Sequence, residues 1–278
     1  MDKCLIFNHI PKTAGSSMSS AVNNALSKSV AWGLVKPKSS TGFRIGFGYR
    51  IGTKRTTGKV VCAMGHWAYN HAFTSGLECS MFTMLRDPVE RVISHFVELQ
   101  TYRAPSQPEG FLISPKISLE EVFIKSPDIY LNPKCDRLHY RAGRNFFPWT
   151  SNLYCGYLYG SGAVSNQHWP ITQEICDKVI ANLRNHKVTL RNVYDEAQTV
   201  TLPHIIGITE RFDDSLKLFS KRFGWNNPRY SREPSRRKSA KRGYYNISDK
   251  LRNAITEHNQ FDCQVYKAAK AIFAKDAK

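Results

Sequence analysis

Apolar residues along the chain fall into short continuous runs and into longer stretches in which they recur every three or four positions. The short runs have the length of buried strands; they cover residues 4–10, 60–64, 79–85 and 204–208. The periodic stretches have the spacing of one buried helix face; they cover residues 18–27, 88–100, 171–185, 213–223 and 247–274. Because strands alternate with helices, we predict an α/β fold with a mostly parallel sheet flanked by helices, forming a single domain over residues 1–278.

The stretch over residues 88–100 carries the most complete helix signal. Pro88 fits the first turn of a helix, where its missing N–H is no loss, and Asp87 is the predicted N-cap. The apolar stripe repeats at helical spacing and consists of Val89, Val92, Ile93 and Phe96. We expect the helix to bury this stripe.

Composition adds a strong positive charge to this picture. Hydrophobic residues make up 41% of the 278 residues and charged residues 22%, which is typical of a globular protein with a core and excludes a disordered chain. The 40 basic and 22 acidic residues give a net charge of +18. This charge favours polyanionic partners: nucleic acid, an acidic glycan or a multiply phosphorylated cofactor.

The apolar runs also bear on location and on the cysteines. They are too short to span a membrane, and the N-terminus lacks the apolar stretch and cleavage site of a signal peptide. We therefore expect a cytoplasmic protein that does not bind membranes. The seven cysteines include no CxxC pair and no zinc-ligand spacing, so we expect reduced, mostly buried thiols and no metal site.

The strongest local signal is the segment His-Ile-Pro-Lys-Thr-Ala-Gly-Ser-Ser over residues 9–17, between a predicted strand and a predicted helix. A tight turn there directs backbone N–H groups and a helix N-terminus at one point, which favours an anion. Gly15 allows close backbone approach, Ser16 and Ser17 add hydroxyl donors, and Lys12 adds an ammonium group. The alternative without function is a strand-to-helix turn with a solvated lysine.

This segment differs from the Walker A loop of nucleotide-binding proteins. A Walker A loop places its lysine after the glycines and follows it with a hydroxyl that holds magnesium. Here Lys12 precedes Gly15. The segment instead resembles the phosphate loop of sulfotransferases that use 3′-phosphoadenosine-5′-phosphosulfate (PAPS), whose pattern is Pro-Lys-Thr/Ser-x-x-Ser/Thr. The resemblance implies that the 5′-phosphosulfate is bound by Lys12, Thr13, Ala14, Gly15, Ser16 and Ser17.

A second element of the same family lies about seventy residues further on, over residues 85–94. It is similar to the family's 3′-phosphate element, an arginine at a strand end followed eight residues later by a serine on the next helix. The resemblance implies that Arg86 and Ser94 bind the 3′-phosphate. Read from the residues alone, Arg86 could instead form an ion pair with Asp87 or Glu90.

Three further segments extend the resemblance toward carbohydrate-type members, of the uronyl and heparan 2-O kind, and toward bacterial members. Residues 206–212 resemble a late strand-to-helix segment of these enzymes, and residues 259–262 with Tyr266 resemble their closing helix. The basic stretch over residues 229–242 resembles a loop that closes over the nucleotide, which implies contacts from Arg236 and Arg237. The alternatives for that stretch are a solvated loop or a patch for an acidic substrate or nucleic acid.

The general base is expected at the end of another predicted strand. His66 follows the run over residues 60–64, where open α/β sheets bind ligands. A neutral imidazole accepts a hydroxyl proton near pH 7, and Gly65-His66 resembles the base element of uronyl 2-O-sulfotransferases. His71 is the second candidate base, and the remaining candidates are Glu98 and Glu109. His9 is interpreted as a buried residue at a strand end that could line the site.

We therefore predict an enzyme that transfers a sulfuryl group from PAPS to a hydroxyl or amine and releases 3′,5′-adenosine bisphosphate (PAP). We favour a small metabolite or glycoside from natural product biosynthesis as acceptor over a polysaccharide. Residues 36–59 and 102–115 are interpreted as surface loops or an acceptor-binding lid. Aromatic residues within 146–159 form either an acceptor wall or core.

Three alternative functions remain open at this level. A P-loop kinase would require magnesium and ATP, a basic nucleic-acid-binding protein would show salt-dependent binding, and a sulfotransferase-like protein could lack activity. No helix-turn-helix or RNP signature is present in the sequence, so nucleic acid is not the expected partner. The sequence carries no signal for the oligomeric state.

Overall fold

The computed structural model describes residues 3–25, 30–34, 52–56, 60–65, 68–74, 76–101, 118–125, 152–159, 171–192, 197–226, 228–230 and 247–278. The strands in these ranges are β1 (Lys3–Asn8), β2 (Val30–Leu34), β3 (Gly52–Thr56), β4 (Val60–Gly65), β5 (Glu78–Leu85), β6 (Lys187–Arg191) and β7 (Thr199–Ile208). The α-helices are α1 (Gly15–Ala25), α2 (His71–Thr74), α3 (Pro88–Thr101), α4 (Leu153–Tyr159), α5 (Gln173–Arg184), α6 (Phe212–Phe223), α7 (Asp249–His258) and α8 (Gln260–Asp276).

The strands form one mixed seven-stranded sheet in the order β2-β3-β4-β1-β5-β7-β6. The central strands β4, β1, β5 and β7 are parallel. The strands β2 and β3 on one side and β6 on the other are antiparallel to their neighbours. The α/β fold is thus confirmed, with the parallel strands at the centre of the sheet. Their carboxyl ends meet at one edge, where such sheets bind ligands.

Helices cover both faces of this sheet, and the side chains of β1 show the alternation. Cys4 and Ile6 belong to the core that includes buried residues of α4, α5 and α8. Phe7 belongs to the opposite core, which includes buried residues of α1 and α6. This alternation follows from the two-residue period of a strand, and it explains why β1 reads as a continuous apolar run.

The predicted helix over residues 88–100 is confirmed in detail. The Asp87 carboxylate accepts hydrogen bonds from the N–H groups of Val89 at 3.0 Å and Glu90 at 3.1 Å, as an N-cap does. The predicted apolar stripe is buried along its whole length. The helical and strand predictions at residues 171–185, 204–208 and 213–223 are also confirmed, although β7 begins earlier, at Thr199.

Two predictions were wrong. The closing segment over 247–274 is two helices, because Asn259 leaves the helical conformation (φ −121°, ψ 28°) and donates its side-chain amide to the Ile255 carbonyl at 2.9 Å. The stretch over 36–59 contains β3, whose sequence Gly-Thr-Lys-Arg-Thr lacks an apolar residue. Backbone pairing with β2 and β4 makes it a strand, and hydropathy does not report backbone pairing.

Other features of the described ranges complete the picture. Six cysteines there are free thiols, and five of them are buried: Cys4, Cys62, Cys79, Cys155 and Cys176. Tyr154 and Tyr157 are buried in the core, which favours the core interpretation for this part of the aromatic stretch. No helix of the described ranges has the length and apolar character needed to cross a membrane. Residues 102–115 lie outside the described residues.

Candidate functional site

The loop between β1 and α1 has the backbone shape of an anion site. Two of its non-glycine residues adopt left-handed conformations, Lys12 with φ 69° and Ala14 with φ 63°, at a cost on the order of 1–3 kcal/mol each. The Thr13 hydroxyl donates to the Ile10 carbonyl at 2.8 Å and closes the turn. Strained backbone of this kind persists where the surrounding structure over-determines it, often at ligand sites.

The first turn of α1 directs its amides at the same place. The first intrahelical bond runs from the Met18 N–H to the Ala14 carbonyl at 3.0 Å. Helix geometry therefore leaves the N–H groups of Gly15, Ser16 and Ser17 without an intrahelical carbonyl, and together with the helix dipole they favour an anion.

Gly15 is required at its position by a neighbouring imidazole. A Cβ added to Gly15 would lie 1.7 Å from Nε2 of His9. The His9 ring in turn stacks on Phe7, with ring centroids 5.7 Å apart and an interplanar angle of 12°. His9 also donates its backbone N–H to the Gly65 carbonyl at 3.0 Å, so this residue links the ends of β1 and β4.

The second predicted element reaches the same edge of the sheet. The strands β1 and β5 are parallel neighbours with Phe7 opposite Phe82, so the chain leaves β5 at Arg86 beside the loop that follows β1. Adjacent strands are about 4.8 Å apart. The structure thus brings the two segments together, although they are about seventy residues apart in the sequence.

Arg86 and Ser94 have different surroundings. The Arg86 side chain is 23% exposed, and its Nη2 lies 3.9 Å from Oε2 of Glu90, so the ion pair considered from the sequence exists but is long. Ser94, two turns along α3, is 6% exposed. Only a ligand group that reaches the floor of the site can therefore contact Ser94.

Lys12 connects the loop to α3. Its Nζ lies 3.2 Å from Oε1 of Glu98, and the two side chains are 17% and 46% exposed. Glu98 follows Ser94 by one helical turn, so α3 contributes both the partner of Lys12 and the predicted 3′-phosphate ligand. Ion pairs with this much solvent contact contribute about 0–1 kcal/mol, so an incoming anion can compete with Glu98 for the ammonium group.

A network of hydrogen bonds supports the turn at residues 86–87. The Tyr154 hydroxyl accepts a hydrogen bond from the Arg86 N–H at 3.1 Å and donates one to the Arg86 carbonyl. The next N–H, of Asp87, donates to Oε1 of Glu210 at 2.9 Å. Oε2 of Glu210 accepts a hydrogen bond from the Tyr266 hydroxyl at 2.9 Å. Tyr154 of α4 and Glu210, just after β7, thus hold a turn that follows β5.

The network continues into a buried ion pair. Arg91 and Asp262 are both 0% exposed, with Nη2 and Oδ2 3.9 Å apart, and Arg91 also donates to Oδ1 of Asn259 at 3.2 Å. Asp262 accepts hydrogen bonds from the N–H groups of Tyr154 at 2.9 Å and Cys155 at 3.3 Å, which caps α4. Burial raises the pKa of Asp262 to about 6, although Arg91 and these N–H groups act to lower it.

The residues of this network were not identified from the sequence. The segments over residues 206–212 and 259–262 were noted as resemblances, and Glu210 and Asp262 lie in them. Their contact with the Arg86 turn has no sequence signal. Tyr154 belongs to α4, a helix of only seven residues that has no periodicity long enough to read.

Several predicted site residues cannot be placed. His66, Arg236, Arg237 and Glu109 lie outside the described residues, and His71 is described only as the first residue of α2. Gly65, just before His66, has φ 148°, a conformation that side chains rarely adopt. It ends β4 next to β1, at the edge where the phosphate loop begins.

A cleft of about 480 Å³ adjoins the loop along α1. Its lining is polar and consists of His9, Gly15, Ser16, Ser19, Ser20, Asn23 and Asn24. Hydroxyl and amide groups provide both donors and acceptors of hydrogen bonds. This edge of the sheet therefore brings together a loop with the backbone shape of an anion site, the Arg86 guanidinium and a polar cleft.

A comparison with known protein families assigns the chain to one family. A family model described as "Sulfotransferase family" matches residues 2–268, nearly the whole chain. Among curated proteins, none matches the chain.

Proposed function

Because the chain belongs to the sulfotransferase family, we propose that it transfers a sulfuryl group from PAPS to a hydroxyl or amine and releases PAP. The observation that carries this proposal is the position of two segments. The anion loop after β1 and the Arg86 turn after β5 follow adjacent parallel strands, so one nucleotide with phosphates at both ends can contact both. We extend the proposal to one P-loop-like catalytic domain over residues 1–278.

The loop after β1 is proposed to bind the 5′-phosphosulfate. The N–H groups of Gly15, Ser16 and Ser17 belong to the first turn of α1 and point out of its N-terminus. A negative group at this end is stabilised by the helix dipole. Thr13 and Ala14 shape the turn. Lys12 is proposed to stabilise the oxygen between phosphorus and sulfur, on which negative charge grows as the sulfur–oxygen bond breaks.

The turn after β5 is proposed to bind the 3′-phosphate through Arg86 and Ser94. The long ion pair between Arg86 and Glu90 supports this role, because a guanidinium forms stronger bidentate bonds with phosphate oxygens than with a carboxylate at this distance. We propose that the basic stretch over residues 229–242, including Arg236 and Arg237, closes over the bound nucleotide.

Transfer is proposed to proceed in line. The acceptor oxygen or nitrogen attacks sulfur, the bond from sulfur to the 5′-phosphate oxygen breaks, and PAP leaves with the electron pair. His66 is proposed to accept the proton of the acceptor. Gly65, the residue before it in the sequence, ends β4 beside the end of β1, which supports this role because a general base must lie within reach of the reacting atoms.

A small polar molecule, a metabolite or glycoside, is the proposed acceptor. The cleft along α1 supports this, since its hydroxyl, amide and imidazole groups can hydrogen-bond a hydroxyl-rich molecule.

Calorimetry with PAP tests the nucleotide site without knowledge of the acceptor. We expect Arg86→Ala and Ser94→Ala each to weaken PAP binding, by at least about tenfold for Arg86→Ala because it removes charge-assisted hydrogen bonds. Arg222→Ala is the matched control: Arg222 is exposed near the end of α6, beside His186 and Asp276 and away from this edge. Wild-type affinity in both site variants would contradict the proposed function.

A further inference from the structure

The backbone hydrogen bonds of Arg86 are made with one tyrosine. Leu85 forms the last register pair between β5 and β7, with Ile208, so Arg86 lies beyond the ladder and its peptide groups require other partners. The Tyr154 hydroxyl serves the N–H and the carbonyl of Arg86 together. A single side chain thereby fixes both peptide planes that flank the Arg86 Cα atom.

Tyr154 is itself held in place from several directions. It is 0% exposed, its N–H is bound by Asp262, and the Arg91 guanidinium lies 5.6 Å from the centre of its ring. Burial raises the pKa of its hydroxyl well above the ordinary value, so the group stays protonated and keeps its donor. The Arg86 backbone is therefore attached to a rigid part of the core.

The guanidinium of Arg86 has a weaker attachment. Its contact with Glu90 spans 3.9 Å, and Glu90 is shared with Arg252, whose Nη2 lies 3.6 Å from Oε1. Contacts of this length hold the Arg86 side chain only weakly. The conformation of the Arg86 backbone therefore largely sets the direction of the guanidinium. Bidentate recognition of a phosphate requires a guanidinium held to within about 0.5 Å and 10–20°, so a rotation of either peptide plane would misalign the two groups.

We propose that Tyr154 is a positioning residue for the 3′-phosphate of the donor, acting through the backbone of Arg86. This inference rests on the proposed function, because Tyr154 can position Arg86 for a 3′-phosphate only if the chain binds PAPS. It predicts that the tyrosine hydroxyl contributes to discrimination between nucleotides with and without a 3′-phosphate. A hydroxyl with a purely structural role would affect both nucleotides equally.

The test compares two ligands and two matched variants by calorimetry. The ligands are PAP and adenosine 5′-monophosphate, which lacks the 3′-phosphate. Tyr154→Phe removes the hydroxyl and keeps the ring, and Tyr157→Phe makes the same change at a buried position of the same helix. We expect Tyr154→Phe to weaken PAP binding about tenfold and to leave the affinity for the monophosphate unchanged. Tyr157→Phe should change neither affinity.

Each other outcome has a definite meaning. Equal losses for the two ligands, or no loss for PAP in a folded Tyr154→Phe variant, overturn the proposal. If Tyr154→Phe does not fold, Glu210→Ala replaces it, because exposed Glu210 holds the next N–H of the same turn; an unchanged preference for PAP in that variant overturns the proposal. A wild-type chain that binds PAP no more tightly than adenosine 5′-monophosphate overturns the proposed function as well. This result is distinguishable from failure of the Tyr154 proposal alone, because it is seen without any variant.

Discussion

The loop over residues 9–17 and the turn at residues 86–87 lie side by side at one edge of the sheet but are stabilised in opposite ways. The loop is held largely from within, by the bond from the Thr13 hydroxyl to the Ile10 carbonyl inside one short segment, which accommodates two left-handed residues. The turn is held from outside, by Tyr154 at a separation of 68 residues and by Glu210 at 123 residues from its partner.

Because of this difference, we expect substitutions in the loop to affect mainly ligand binding and turnover, and substitutions around the turn to affect mainly the free energy of unfolding. The side chains of Lys12, Ser16 and Ser17 in the loop contact solvent, so their removal is expected to affect ligand binding and turnover with little change in the free energy of unfolding. The supports of the turn include the buried polar groups of Tyr154 and, behind it, Asp262, whose loss leaves other buried groups uncompensated. Changes there should lower the free energy of unfolding first and disturb the site as a consequence.

The largest expected effect is on stability and comes from Arg91. Arg91→Met keeps approximately the side-chain volume but leaves the buried Asp262 carboxylate without its cation, and the Asn259 side-chain oxygen keeps only the Asn152 N–H of its two donors. Breaking a buried ion pair from one side costs about 3–5 kcal/mol. We expect a loss of this size in the free energy of unfolding, measured by denaturant titration followed by circular dichroism.

The matched control for this change is Arg184→Met, at an exposed position in the last turn of α5, which should alter stability by less than about 0.5 kcal/mol. A double variant with Asp262→Asn should be more stable than the sum of the single losses predicts, because the two residues interact directly. Strict additivity would show that the pair does not stabilise the turn as described.

The same difference explains which parts of the fold could be predicted from sequence. Val89, Val92 and Phe96 repeat at helical spacing because α3 buries one face, and this pattern is local. The strand β3 could not be predicted, since its order comes from pairing with β2 and β4 and its own residues are polar. The break at Asn259 depends on side-chain bonds to a neighbouring turn and to Arg91, which the helical period does not encode.

The site divides in the same way. Residues from Lys12 to Ser17 are contiguous, and a strand-to-helix turn with lysine, glycine and serine carries its chemistry in its own sequence. Tyr154 and Asp262 act on Arg86 and on each other only after the chain has folded. Single-sequence reasoning therefore locates the groups that touch a ligand more readily than the groups that hold them.

In the loop, Lys12→Ala is expected to lower turnover. Lys12→Ala removes the ammonium group and keeps a β-carbon, so the left-handed conformation at this position gains no new strain. Loss of one electrostatic stabiliser typically costs 10²–10³-fold in kcat, or about 3–4 kcal/mol of transition-state stabilisation. We expect a loss of this size in sulfuryl transfer, measured with labelled PAPS and an acceptor found by screening.

Stability provides the contrast for this variant. The pair between Lys12 and Glu98 is partly exposed, so Lys12→Ala should lower the free energy of unfolding by no more than about 1 kcal/mol. Lys217→Ala is the control, because Lys217 forms a comparable exposed pair with Asp214 away from the loop and should keep full turnover. A Lys12→Ala variant that retains activity but unfolds easily would reverse the assignment of roles to the two regions.

The smallest expected effect is a dependence of the free energy of unfolding on pH, which comes from the buried Asp262 carboxyl. Burial raises the pKa of Asp262 to about 6, from about 3.9 in an unfolded chain. Between these values the folded chain binds more protons than the unfolded chain, so this group's contribution is fully present below about pH 4 and is lost as the pH rises through 6, about 3 kcal/mol in total. Buried His204, whose pKa is lowered to about 3, contributes with the opposite sign.

The contribution of Asp262 is therefore visible only as a difference between variants. Asp262→Asn removes the titrating carboxyl and leaves His204 unchanged, so the free energy of unfolding of the variant relative to wild type should rise between pH 4 and pH 6.5. Asp177→Asn, at an exposed position of α5, should run parallel to wild type over the same range. Urea titrations at half-unit pH steps measure both differences. A constant gap between Asp262→Asn and wild type would show that this carboxyl does not titrate in the folded chain, and that Arg91 rather than burial governs its charge.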